Sequence, residues 1–141
     1  MTPSRAADIA VGDVLPTLEI PITATLIAAG AFATRDFMPV HHDREYAGQQ
    51  GSPDIFMNIL SDTGYCSRFL TDWAGPDAMI KRLAIRLGTP VLPGHTLSYS
   101  GEVDSITIEG EEYVIEVAVR AAGDLGDHLT GTATLTLPLD R

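Results

Sequence analysis

The sequence predicts an α+β fold in which one antiparallel sheet wraps a single long helix. Three observations carry that expectation. One strongly helical stretch occupies residues 53–72, the hydrophobic period changes from 3.6 to 2 after Pro76, and the strand-like runs that follow have no helix between them. Parallel neighbours would need crossover helices, so these strands pair antiparallel.

The elements follow in order. Leu18, Ile20 and Ile22 alternate with Thr17, Glu19 and Pro21, which predicts a short strand placed at an edge, because Pro21 cannot donate to a ladder. Thr23 is a candidate N-cap for a short helix over residues 24–33, where Leu26, Ile27, Gly30 and Ala31 hold helical spacing with small side chains. Residues 34–42 contain Pro39 and show no period, so they predict a loop, after which Asp43 caps a helical turn reaching Ala47. Ser52 as N-cap, Pro53 at the first helical position and Asp54 in the first turn mark the start of the long helix, and Trp73, Ala74, Gly75 and Pro76 mark its end. Ile55, Phe56, Ile59, Leu60, Cys66, Phe69 and Leu70 keep the helical period, and Met57, Tyr65 and Trp73 widen the apolar face, so this helix is expected to be largely enclosed. Lys81, Leu83, Ile85 and Leu87 alternate with Arg82, Ala84 and Arg86; residues 96–108, 112–122 and 128–137 give three further strands. A sheet wrapped on one long helix is the hot-dog architecture.

Composition bounds what such a domain does. A chain of 141 residues fits one domain, 1–141, and 45% hydrophobic residues fill its core without disulfide staples. Nine Lys and Arg against nineteen Asp and Glu give a net charge of −10, which cannot supply the cationic face that nucleic acid or a polybasic membrane anchor requires. Cys66 has no partner in the chain, so neither a disulfide framework nor a thiolate zinc site is expected, and mid-helix it reads as a core side chain. Residues 1–15 lack a signal-peptide core and no apolar run spans a bilayer, which places the protein in the cytoplasm.

Chemistry concentrates between Phe32 and Ala47. Asp36 and His41 stand five residues apart, about 140° around a regular helix, but Pro39 makes this segment a loop that can fold both toward one point. A carboxylate beside an imidazole can bind a water, take its proton and return one, as hydration of a conjugated double bond demands. By spacing alone the pair fits a structural hydrogen bond as readily. Asp54, Ile55 and Phe56, at the expected helix start, offer backbone N–H groups to the negative charge that develops on a carbonyl oxygen.

The run Asp36, Met38, Pro39, Val40, His41, Asp43, with Ala47 after it, resembles the signature of MaoC-like (R)-specific enoyl-CoA hydratases, Gly-Asp-x-Asn-Pro-(Ile/Leu)-His-x-Asp-Pro. Val91, Pro93, Gly94, Thr96 and Leu97 are similar to that family's second motif, Val-x-Pro-Gly-Asp-Thr-Leu, with His95 at its Asp. The resemblance implies that Asp36 and His41 are the catalytic pair and that helix-start amides polarise the thioester. Three positions depart from it: Arg35 for Gly, Met38 for Asn, which implies a roomier substrate pocket, and Arg44 for Pro. Further similarity, through Asp54, Ile55, Phe56, Met57, Asn58, Ile59 and Leu60 and again from Phe69 to Pro76, is to the small catalytic subunits of actinobacterial steroid side-chain enoyl-CoA hydratases. It implies a bulky acyl-CoA substrate, no cofactor beyond the substrate's own CoA, and a larger MaoC-like partner in a heterodimer or heterotetramer.

Other features stay open. Arg82 and Arg86 share one strand face, which fits a solvated surface or the phosphates of CoA. His41, His42 and Asp43 lack a fourth ligand, so no metal is expected. His42 is expected to point away from the reacting centre. Two alternatives to the hydratase remain: a hot-dog acyl-CoA thioesterase, and a non-catalytic subunit of a hydratase complex.

Overall fold

A computed structural model describes residues 6–139; the two ends of the domain expected over 1–141 lie outside the described residues. The described elements run β1 (Leu18–Pro21), α1 (Ala24–Ala33), α2 (Arg44–Gln49), α3 (Ile59–Ala74), β2 (Met79–Leu87), β3 (Thr96–Glu109), β4 (Glu112–Gly123) and β5 (Gly126–Pro138). The five strands form one antiparallel sheet in the order β1-β3-β4-β5-β2, with β1 at an edge as Pro21 requires. Inward positions recur at every second residue: Ile115, Val117, Val119 and Ala121 of β4 are buried, and Ile115 faces Leu135 while Val117 faces Ala133 on β5.

Against that face lies α3, burying Asp62, Cys66, Phe69, Leu70 and Trp73, a stripe at helical spacing. Gly75, at φ 89°, ends the helix in the left-handed region. The helix α1 crosses α3 at Gly30, where a Cβ would come within 2.5 Å of Ser61 Oγ and would displace that hydroxyl from Asn58. Thr23 accepts from the Leu26 N–H to start α1, as its sequence position implies.

The long helix differs from expectation in both extent and enclosure. It begins at Ile59, capped by Asn58, and residues 53–58 are not helical. Their polar groups are engaged elsewhere. Ser52 Oγ donates to the Asp54 carbonyl instead of capping, Asp54 Oδ1 accepts from Ile55 N–H and Arg44 Nε, Met57 N–H donates to Val91, and the Phe56 carbonyl accepts from His41. These long-range bonds hold the segment out of the helix. Ile59 and Leu60 are about half exposed, so α3 is covered on one side only.

A second departure lies in β5. Between the pairs Ala121↔Leu129 and Ala122↔Asp127 the register shifts, leaving His128 without a partner on β4. This β-bulge lets His128 and Leu129 both be buried, which strict alternation forbids. Among the described residues no helix is long and apolar enough to cross a membrane.

Candidate active site

The site is assembled from the end of α1 outward. Thr34 closes the helix, Arg35 follows at φ 57°, Arg35 N–H donates to the Phe32 carbonyl and Asp36 N–H to the Ala31 carbonyl. That bond pattern is a Schellman turn, and it fixes the backbone of Asp36 immediately beyond the helix. Pro39 then opens a single 3-10 turn, Pro39–His41, which turns the imidazole back inward; His41 is 7% exposed.

There His41 Nδ1–H donates to the Phe56 carbonyl at 2.7 Å, because a carbonyl can only accept. The tautomer follows from this bond: in the neutral ring Nε2 carries the lone pair, and it lies 3.3 Å from Asp36 Oδ2. Phe56 also packs edge-on against the ring, 5.0 Å between centroids. The carboxylate has its own supports. Asn58 Nδ2 donates to Asp36 Oδ2 at 3.0 Å and the Met38 N–H donates to Oδ1, and these bonds, the one from Asn58 first, hold this carboxyl below the usual range against a smaller opposing effect of burial.

Asn58 was not singled out in the sequence, yet it joins the site to the helix. Its Oδ1 accepts from the Ser61 N–H and Oγ–H, capping α3, while Nδ2 reaches Asp36 and Thr34. The signal was present: an Asn before Ile59 and Leu60 is a cap, and Ser52 with Pro53 obscured it.

Asp36 and His41 open on a cavity of about 330 Å3, lined also by Phe56, Met57, Asn58, Ile59, residues 87–90 and His128. The volume is at the lower end for small-molecule sites. Of its backbone donors, Met57, Gly88 and Thr89 are already bonded to Val91, His128 and Asp127. The Phe56 and Ile59 N–H groups have no partner among the described residues, and Ile59 is the first residue of α3.

A second acid–imidazole pair adjoins the cavity. His128 Nδ1–H donates to the Thr89 carbonyl at 2.6 Å and Nε2 meets Asp62 Oδ1 at 2.8 Å, with both side chains almost wholly buried. One proton must lie between Nε2 and Oδ1. Burial disfavours the charged ring, but the bond to Asp62, its charge and the Thr89 carbonyl outweigh this and raise the His128 pKa above its ordinary value. Asp62 Oδ2 is buried with no partner among the described residues. Burial, then the Asp62 charge, pushes the nearby Cys66 thiol up to about 11, which leaves it inert as a nucleophile.

No family model matches the chain. A relative from Mycobacterium tuberculosis (strain ATCC 25618 / H37Rv), the 3-oxo-4,17-pregnadiene-20-carboxyl-CoA hydratase β subunit, is 48% identical over 127 residues, 90% of this chain and 95% of that protein. The chain belongs to the MaoC-like hydratase family. Its fold superposes on one chain of the ChsH1-ChsH2 complex from M. tuberculosis with a TM-score of 0.84 and 48% identity, covering 91% of this chain and 98% of that one. An (R)-hydratase of A. caviae involved in PHA biosynthesis gives a TM-score of 0.84 at 21% identity, over 94% and 100% of the two chains, and shares the hot-dog fold.

The MaoC-like signature clarifies the local geometry. Its Gly precedes the Asp where this chain has Arg35 in the left-handed region, a conformation that glycine adopts without steric penalty. The expected pocket residue Met38 is 46% exposed and does not line the cavity; hydrogen bonding to Asp36 comes from Asn58 and the Met38 backbone instead. The expected carbonyl donors shift as the helix start shifts. The Ile55 N–H is bonded to the Asp54 side chain, neither Asp54 nor Ile55 lines the cavity, and only Phe56 of the three remains. Arg82 and Arg86 are exposed on β2, on the face opposite Leu83 and Ile85, and neither lines the cavity. His42 points outward as expected, its ring 4.9 Å from Phe32.

Proposed function

We propose that this chain is the catalytic subunit of an enoyl-CoA hydratase that adds water across the α,β double bond of a steroid side-chain CoA thioester. The observation that carries the proposal is the Asp36–His41 pair, with Nε2 3.3 Å from Oδ2 at a largely apolar cavity beside unbonded amides. Two acceptors so placed can each take one hydrogen of the same water, which aims its oxygen lone pair at the β-carbon. One O–H bond breaks as the C–O bond forms; the pair holds the released proton and passes a proton to the α-carbon. Charge that builds on the thioester oxygen is met by the Phe56 or Ile59 N–H, at or near the positive end of α3. Water supplies every added atom, so the reaction needs no cofactor beyond the CoA of the substrate.

The 48% identical relative is named as a subunit of such a hydratase and its fold neighbour comes from a two-component complex, which supports a larger MaoC-like partner here, in a heterodimer or heterotetramer. Exposed Phe32, Phe37 and Met38 flank Asp36 in sequence and Ile59 and Leu60 begin α3, an apolar surround suited to a partner or a bulky acyl group. A cytoplasmic setting goes with this reading, as the buried lone Cys66 needs no oxidising compartment. The test is incubation of the partnered protein with a steroid side-chain enoyl-CoA. Loss of enoyl absorbance without free thiol is expected; free CoA would identify a thioesterase, and no change would favour a non-catalytic subunit. Mass identification of the co-purifying partner tests the assembly.

A further inference from the structure

The hydration chemistry leaves one buried ionisable pair unexplained, that of His128 and Asp62. Strict alternation in β5 would turn His128 outward, and the bulge opposite Ala121 and Ala122 turns it in. A buried ion pair contributes little net stability compared with apolar side chains of the same volume, so packing alone does not account for it. Its connections are specific. Asp62 lies in the first turn of α3, where its N–H donates to the Asn58 carbonyl, and Asn58 in turn holds Asp36. The other arm of the imidazole holds the Thr89 carbonyl, in the stretch 87–90 that lines the cavity just beyond β2. The Gly88 N–H donates to the His128 carbonyl at 2.7 Å, and a Cβ on Gly88 would meet Asp127 O at 2.4 Å, so the stretch is drawn tightly onto β5.

We propose that His128 is a positioning residue for the acyl site: bridging Asp62 of α3 to the Thr89 carbonyl, it fixes the cavity wall at residues 87–90 relative to Asp36 and His41. Both ring nitrogens are engaged, so it does not itself handle the water. The proposal rests on the hydratase reading for its substrate. A bulky acyl group that fills the cavity depends on where this wall stands, whereas a crotonyl group reaches less of it.

The experiment uses the chain with its partner subunit. His128→Ala should speed amide exchange at Gly88 and Thr89 about tenfold or more. It should raise KM for a steroid side-chain enoyl-CoA about tenfold while leaving kcat for crotonyl-CoA within about twofold. Asp62→Asn is the conservative rescue, because its amide can donate to a neutral Nε2 and keep the bridge; exchange and KM should stay near the unsubstituted values. Should His128→Ala fail to fold, His128→Asn retains a donor toward Thr89 but loses the Asp62 arm, and the same rise in KM is expected. Unchanged exchange or KM in the histidine variants overturns the proposal, as does an equal fall of kcat on both substrates at constant KM. Exchange needs no substrate, so failure of the unsubstituted protein to hydrate would sink the hydratase reading while exchange still decides whether the bridge holds the wall.

Discussion

Asn58→Asp separates the two tasks of one side chain. The substitution keeps an oxygen for the Ser61 N–H, and aspartate caps helices as well as asparagine, so α3 and the melting temperature should be little changed. What changes is the partner of Asp36, where an N–H donor 3.0 Å from Oδ2 becomes a second carboxylate oxygen. At that distance two unit charges repel by about 1.4 kcal/mol in bulk water and about 5.5 kcal/mol at an effective dielectric of 20. The Asp36 side chain is 27% exposed, so the lower half of that range applies, and about 1.4–3.5 kcal/mol corresponds to about 1–2.5 pKa units upward. Asp36 must be ionised to accept a proton from water. The acid limb that Asp36 sets in kcat/KM should therefore move up by about 1–2.5 units, so that activity falls earlier on acidification than in the unsubstituted protein and is recovered by about pH 8. Because the two carboxylates titrate together, the apparent value belongs to the pair. Asn58→Ala is the contrasting variant: it removes the cap, at about 0.5–2 kcal/mol of stability, and should lower activity at every pH. An acid limb that stays in place in Asn58→Asp, or a loss independent of pH, would refute the reasoning.

Other expectations follow from the same geometry. Asp36→Asn and His41→Ala should each lower kcat by about 10² or more with the fold intact, and the double variant should lose much less than the product, because both act on one water; steady-state kinetics with circular dichroism checks this. His128 holds its proton more tightly folded than unfolded, so its contribution to stability is complete below about pH 6.5 and is lost as pH rises through its raised folded pKa. Thermal melts from pH 5 to 9 should show that decline, and Asp62→Asn should flatten it. Arg35→Gly relieves a left-handed residue but loosens the unfolded chain, so denaturant unfolding should show a change between zero and about 1 kcal/mol of stabilisation, with kcat unaltered.

Much of this was legible in the residues, and the limits have physical causes. Alternation located β2 to β5 within a few residues because their inward face is almost continuously apolar. Asp36 and His41 could be paired because Pro39 excluded the helix that would separate them. The start of α3 was misplaced because Ser52, Pro53 and Asp54 carry every local mark of a helix, and what overrides them are bonds to Val91, Arg44 and His41, distant in sequence. Asn58 was hidden by the same error. His128 was counted as an ordinary strand residue because a bulge leaves no trace in the period of a single strand; it exists only as a mismatch between two.

The strand order has a consequence for how the site comes into being. Of the five described strands the last to be synthesised, β5, sits inside the sheet between β4 and β2. Until it arrives, β2 has no neighbour and the stretch 87–90 has nothing to rest on, although Asp36, His41 and α3 were synthesised long before. Closing the sheet therefore means threading β5 between two edges already made, a contact of long sequence separation with the slow, entropy-limited kinetics such contacts entail. A nascent chain stopped anywhere before β5 carries the whole catalytic pair and no complete cavity to use it in, so competence is gained in one late step.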